Sequence, residues 1–172
     1  TAGPGLMGSL LVGVMTAKAL SQAWRTPIIG VNHLEGHIFA NVAANRDLAP
    51  PFISAIVSGG HTEIVWVKNF GEYELLGSTR DDAAGEAYDK IAKMMGLGYP
   101  GGPVIDSLAS RGDPESYALP MPLSSTGKVE FSFSGLKTAA ANIIRNSEKT
   151  GTSFKKEDIC ASFQKAVIGS LT

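Results

Sequence analysis

Two histidines four residues apart, His33 and His37, are the residues in this chain best placed to ligate a metal ion. They lie in Val31-Asn32-His33-Leu34-Glu35-Gly36-His37. On a helix, positions i and i+4 share a face one turn apart, so two imidazoles can close on one ion. Imidazole suits zinc, iron, nickel or copper better than magnesium or calcium. A zinc peptidase would carry glutamate directly after the first histidine, beside a metal-bound water. Leu34 holds that position here, and Glu35 comes one residue later, about 100° further round the helix. The peptidase reading is discounted on that ground. Glu35 also falls three residues after Asn32, where a capping box places its acid.

A second group is Ser58-Gly59-Gly60-His61-Thr62, between two apolar runs. Paired glycines at a hairpin apex are first a turn, since glycine supplies positive φ cheaply. They also leave backbone N–H groups uncovered, so that a phosphate or oxyanion can approach. The two readings are compatible, and Ser58, His61 and Thr62 add donors. A third group is the polar stripe Asp82, Glu86, Asp89 and Lys93. Lys90 follows Glu86 by four and Lys93 follows Asp89 by four, the favourable order for helix pairs. Pattern alone makes this a solvated, salt-bridged face; the sharper reading is that Asp89 grips a pair of ligand hydroxyls. Gly102, before Pro103 at a helix start, either presents a backbone N–H to a ligand or belongs to a simple loop.

The elements that must position these groups follow from periodicity. Residues 5–24 carry apolar positions near helical spacing behind Gly3-Pro4-Gly5, which predicts a packed helix. Thr26 to Val31 reads as a short buried strand, with Asn32 as N-cap of a helix over 33–44. Asn45 to Pro51 is a loop. Phe52–Val57 reads as a buried strand, Glu63–Val67 as its hairpin partner and Tyr73–Gly77 as a third strand. Asp81 and Asp82 are expected to open a helix running to about Met95, with Ala84, Ala87, Tyr88, Ile91 and Met95 on its apolar face. A helix over 104–110, a strand turning into a helix at 131–146 and an amphipathic helix from Lys155 to Leu171 complete the pattern. Alternating strands and helices with glycine-rich turns argue an α/β fold.

Composition sets the bounds. The 172 residues are 44% hydrophobic and 18% charged, enough for one domain with a sizeable core. A single cysteine, Cys160, excludes an internal disulfide and cysteine-rich zinc sites, and fits a reducing compartment. No apolar run reaches the ~20 residues that a membrane span needs. Net charge is −1 but uneven. Residues 1–127 hold 8 Lys and Arg against 12 Asp and Glu, and residues 128–172 hold 7 against 4. A basic C-terminal third could meet a phosphate backbone, though charge alone favours an ordinary solvated face. The chain opens on Thr1 and ends inside a helical pattern, so it is read as an internal fragment of a longer protein.

Six segments in order resemble one family. They are Ala2-Gly3-Pro4-Gly5-Leu6, His33-Leu34-Glu35-Gly36-His37, Val57-Ser58-Gly59-Gly60-His61-Thr62, Asp81 to Lys90, Tyr99-Pro100-Gly101-Gly102-Pro103 and Phe131 to Thr138. Together they look like the tRNA threonylcarbamoyltransferases of the bacterial TsaD type, formerly described as O-sialoglycoprotein endopeptidases.

The resemblance implies an actin-like ATPase fold of the sugar kinase and Hsp70 type, with two lobes and a ligand in the cleft. Residues 1–172 would then be an internal fragment spanning parts of both lobes, inactive by itself. The implied reaction transfers threonylcarbamoyl from threonylcarbamoyl-adenylate to N6 of the adenosine 3′ of the anticodon, in tRNAs reading codons that begin with A. His33 and His37 match metal ligands, the metal being one divalent ion, iron first and zinc second; a further aspartate ligand lies outside this chain. Ile56, Val57, Ser58, Gly59 and Gly60 match the loop that holds the adenylate end and acyl phosphate. Asp89 and Gly102 match positions that contact the nucleoside. Archaeal and eukaryotic relatives carry a metal-bound tyrosine where this chain has Ile56, which puts the chain on the bacterial or mitochondrial side. Implied partners are tRNA, a TsaB-type paralogue and a TsaE-type ATPase. The implied location is the cytoplasm, or the mitochondrion in a eukaryote. Two alternatives stay open: an ATP-dependent phosphotransferase of the same fold, which would need magnesium, and a non-catalytic scaffold paralogue, which would be expected to lack the histidine pair.

Overall fold

The computed structural model describes residues 1–121, 129–151 and 154–172. The elements in order are α1 (Met7–Trp24), α2 (His33–Ala44), β1 (Phe52–Val57), β2 (Thr62–Asn69), β3 (Glu72–Thr79), α3 (Ala84–Met94), α4 (Gly101–Ala109), β4 (Glu130–Phe131), α5 (Ser134–Thr150) and α6 (Lys156–Leu171). The mixed α/β reading holds. One four-stranded sheet runs β1-β2-β3-β4. β1 and β2 form an antiparallel hairpin with Phe52 opposite Val67 and Val57 opposite Thr62. β3 is antiparallel to β2, with register shifts at Ile64/Val65 and Val67/Asn69. β4 joins β3 in parallel.

Among the described residues two apolar clusters hold the elements from α2 onward. The larger lies among α3 to α6, with Ile91, Ile105, Phe133, Leu136, Ile159 and Phe163 at its centre. The predicted apolar faces of α3 and α6 supply much of it. The smaller consists of Ile38 of α2 with Ile56, Val65 and Val67 of the sheet. It fixes the histidine-bearing helix to one sheet face.

Several expectations are corrected. Residues 26–31 are not a buried strand. A strand needs a hydrogen-bonding neighbour along its length, and among the described residues this segment has backbone bonds at its ends alone: Thr26 N–H to the Ser21 carbonyl, Ala2 N–H to the Val31 carbonyl, and the adjoining Gly3–Asn32 bridge. Ile28, Ile29 and Val31 therefore stay exposed. β1 is not buried throughout: it ends the sheet and α2 covers one face, so only Ile56 is enclosed while Ile53 and Val57 are exposed. α1 forms as expected but none of its residues is buried. Asp81 and Asp82 do not open α3, whose N-cap is Ala83. The Thr62 hydroxyl accepts the Ala84 N–H at 2.9 Å instead. Asp81 turns to α5, accepting the N–H groups of Phe133 at 2.8 Å and Ser134 at 3.1 Å. A carboxylate at that helix N-terminus also suits the helix dipole. Asp82 pairs with Lys137 at 2.6 Å and Lys90 at 2.8 Å.

Among the described residues, no helix is long and apolar enough to cross a membrane.

Candidate active site

The histidine pair sits on the first two turns of α2. Asn32 caps that helix as expected, its side-chain oxygen accepting Leu34 N–H at 2.9 Å and Glu35 N–H at 3.3 Å. The His33 N–H donates to the Gly3 carbonyl at 2.7 Å, which ties the Gly-Pro-Gly turn to the helix start. The His33 and His37 rings lie 4.6 Å apart between centroids, 64° from coplanar. His33 is half-buried and His37 exposed. Glu35 is not a capping acid. Its carboxylate accepts the Tyr73 hydroxyl at 2.6 Å, linking α2 to β3. Burial first, and then this hydrogen bond to a carboxylate, hold the Tyr73 phenol above its ordinary pKa, so it stays a donor.

The pair supplies two imidazole donors one helical turn apart, a set that fits iron or zinc and not magnesium. It is a partial set: among the described residues no cluster of three or more His, Cys, Asp or Glu is spaced to hold a metal ion. His61 comes close, its ring centroid 6.4 Å from that of His33.

The loop 58–61 faces the pair. The Ser58 N–H donates to the His61 carbonyl at 2.8 Å, and the His61 N–H to the Ser58 hydroxyl at 3.1 Å. This closes a tight turn. Neither Gly59 nor Gly60 adopts a positive φ, contrary to the expectation for a hairpin apex. Neither a positive φ nor crowding within the chain requires glycine here; what the two glycines leave is open space over the loop. A Cβ at either position meets nothing within 4 Å, and among the described residues neither N–H has a partner. Both N–H groups lie open to a ligand. From behind, α3 holds the loop: Gly85 N–H donates to the Ser58 carbonyl at 3.1 Å.

A cleft of about 570 Å³ is lined by His33, His37, Ser58, Gly59, Gly60 and His61, together with the 1–13 segment. A second cleft, about 390 Å³, is lined by Val57, Ser58, Gly85, Tyr88, Gly102 and Asp106, with α6 residues on its far side. Both volumes suit small-molecule sites. Ser58 belongs to both walls, so the clefts adjoin at that residue.

The expected site residues divide as follows. His33, His37, Ser58, Gly59 and Gly60 share the first cleft; Val57, Ser58 and Gly102 share the second. Ile56 faces neither, being enclosed in the cluster with Ile38, Val65 and Val67. Asp89 opens onto a third cavity with Glu86, Lys90, Lys93, Gly96, Gly98 and Tyr99. One of its oxygens accepts the Gly101 N–H at 2.7 Å.

Asp106 was missed by the sequence reading. Its signal was spacing, since it follows Gly102 by four and shares that face of α4. Tyr88 lies in the same wall, its phenol pushed up to about 12 by burial and then by the Asp106 charge. It therefore stays a neutral donor.

The family model described as TsaD, tRNA N6-adenosine threonylcarbamoyltransferase, matches residues 1–172. A protein of that name from Caldicellulosiruptor bescii is 55% identical over 171 residues, 99% of this chain and 50% of the relative. One from Clostridium kluyveri is 53% identical over 172 residues, again 99% and 50%. One from Nostoc punctiforme is 51% identical over 177 residues, 100% and 51%. The chain spans about half the length of the curated relatives it matches. With every residue covered by the family model, the chain belongs to the TsaD family of tRNA N6-adenosine threonylcarbamoyltransferases.

Proposed function

We propose that, within the full-length protein, this chain holds threonylcarbamoyl-adenylate and supports transfer of its threonylcarbamoyl group to N6 of the adenosine 3′ of the anticodon. The fold of the whole would be actin-like with two lobes. The observation that carries the reading is the shared wall at Ser58, with the histidine pair on one side and Gly102 with Asp106 on the other. An adenylate has the same order of parts: acyl group, phosphate, nucleoside.

In this reading the Gly59 and Gly60 N–H groups bind the phosphate. Gly102 and Asp106 receive the nucleoside, the carboxylate accepting ribose hydroxyls. Asp89, given that role by resemblance, holds the start of α4 and supports the nucleoside wall from behind. The ligand is a mixed anhydride and already activated, so no covalent nucleophile is required. The N6 amine forms a bond to the carbamoyl carbon, the carbon–oxygen bond to phosphate breaks, AMP leaves with the electron pair, and the nitrogen gives up a proton. The two glycine N–H groups stabilise negative charge growing on the departing phosphate; one such donor is typically worth about 10²-fold or more in rate. His33 and His37 would hold the divalent metal, which when bound supplies a Lewis acid for the carbamoyl or phosphoryl oxygens. Partners follow from the resemblance: tRNA, a TsaB-type paralogue and a TsaE-type ATPase.

The test is depletion of the full-length protein in its source cell, with modified nucleosides of bulk tRNA read by mass spectrometry. Threonylcarbamoyladenosine should fall, and should return with wild type but not with a His33→Ala, His37→Ala double variant. Unchanged levels on depletion contradict the proposal.

A further inference from the structure

We infer that Gln164 is a positioning residue for the nucleoside end of the site, holding the Asp106 carboxylate toward the ribose hydroxyls. The inference rests on reading the Gly102 cleft as the nucleoside pocket. Gln164 lies on α6 and Asp106 on α4, and both line that cleft. The Gln164 Nε2 donates to the Asp106 Oδ1 at 2.9 Å. This bond fixes which end of the amide is which, because a carboxylate only accepts.

The other end of the amide is the telling part. Gln164 Oε1 is enclosed, and it is the only such buried side-chain polar atom without a partner among the described residues. An orphaned acceptor costs stability, and an apolar side chain would avoid that cost. A methionine of equal length would pack against Val167, Ile168 and Leu171, which line the same cleft. What the amide adds over it is the hydrogen bond to Asp106. Asp106 itself is exposed and follows Gly102 by one turn of α4. Without Gln164, its carboxylate is free to turn to solvent. Held, it leaves Oδ2 for a ligand hydroxyl.

The consequence is discrimination by sugar. The full-length protein should bind AMP more tightly than 2′,3′-dideoxy-AMP, measured by calorimetry. Gln164→Met should weaken AMP binding about 3- to 10-fold more than it weakens dideoxy-AMP binding, the worth of one hydrogen bond. Gln164→Glu, which keeps the shape and sets like charge against Asp106, should reduce the discrimination further. Asp106→Asn serves as reference. If Asp106→Asn removes the discrimination while Gln164→Met and Gln164→Glu retain it, the positioning role is overturned and the nucleoside reading stands. If none of the three alters the discrimination, or wild type shows none, the reading of the cleft falls and the inference with it.

Discussion

Gly85 of α3 lies against Ser58 so closely that a Cβ on Gly85 would sit 2.8 Å from the Ser58 carbonyl oxygen and 2.8 Å from the Gly59 Cα. Both obstacles are backbone, so neither can swing aside. The Gly59 nitrogen is close too, 2.9 Å from such a Cβ, so the helix buttresses the loop that carries the Gly59 and Gly60 N–H groups. Gly85→Ala should destabilise the full-length protein by about 1–3 kcal/mol, the range for overpacking, and should weaken AMP binding by moving the loop. Gly60→Ala should behave oppositely. Its Cβ meets nothing and its φ is not left-handed, so stability should hold within about 0.5 kcal/mol. AMP affinity should still drop about tenfold or more, because the methyl occupies the approach to the loop. Thermal melts and calorimetry on both variants check the contrast.

The hydroxyl of Tyr73 donates to Glu35 across the joint between β3 and α2. Tyr73→Phe should cost about 1 kcal/mol and weaken binding of added Fe2+ or Zn2+ in chelator competition, because α2 carries both histidines. The bond has a pH signature. A phenol whose folded pKa is raised contributes stability that is complete below its unfolded value of about 10 and is lost as pH rises through the folded value. Wild type should lose more stability than Tyr73→Phe in that alkaline window. Equal losses in denaturant melts would contradict the assignment.

Acid should act through Asp81 and Asp82. Both carboxyls lie below their ordinary pKa: burial opposes ionisation, but hydrogen bonds from Ser132, Phe133 and Ser134 to Asp81, and from Lys137 and Lys90 to Asp82, outweigh it. A depressed folded pKa gives stability that is complete above the unfolded value of about 3.9 and is lost as pH falls through the lower folded value. Asp82→Asn should therefore lose about 1–2 kcal/mol at neutral pH, discounted for the part-exposed lysines, and should show a shallower fall below about pH 3.9. A parallel fall for variant and wild type in urea melts would count against the network.

Local features were legible in the sequence, and long-range ones were not. Asn32 as a cap and His33 with His37 on one helical face follow from spacing within one turn. The hairpin around Ser58-Gly59-Gly60 follows from two apolar runs flanking glycines. By contrast, Asp81 and Asp82 read as helix openers because they precede α3, yet beyond the local Asp82–Lys90 pair their partners lie more than fifty residues on, at Phe133, Ser134 and Lys137. Glu35 read as a capping acid for the same reason, and Tyr73 claimed it. Thr26 to Val31 had strand composition, but strand formation depends on a neighbour that composition does not reveal. The adjoining of the two clefts at Ser58 depends on how α3 packs behind the loop, a contact between separate segments that local spacing does not reveal.

The central claim is that His33 and His37 on one side of the glycine loop, and Gly102 with Asp106 on the other, hold the two ends of one ligand. The most direct measurement is a crystal structure of the full-length protein with a non-hydrolysable threonylcarbamoyl-adenylate analogue. The account predicts the acyl group beside His33 and His37, the phosphate on the Gly59 and Gly60 N–H groups, and the ribose hydroxyls on Asp106. An adenosine bound instead in the cavity of Asp89, Lys93 and Tyr99, or a phosphate away from the glycine loop, would contradict it.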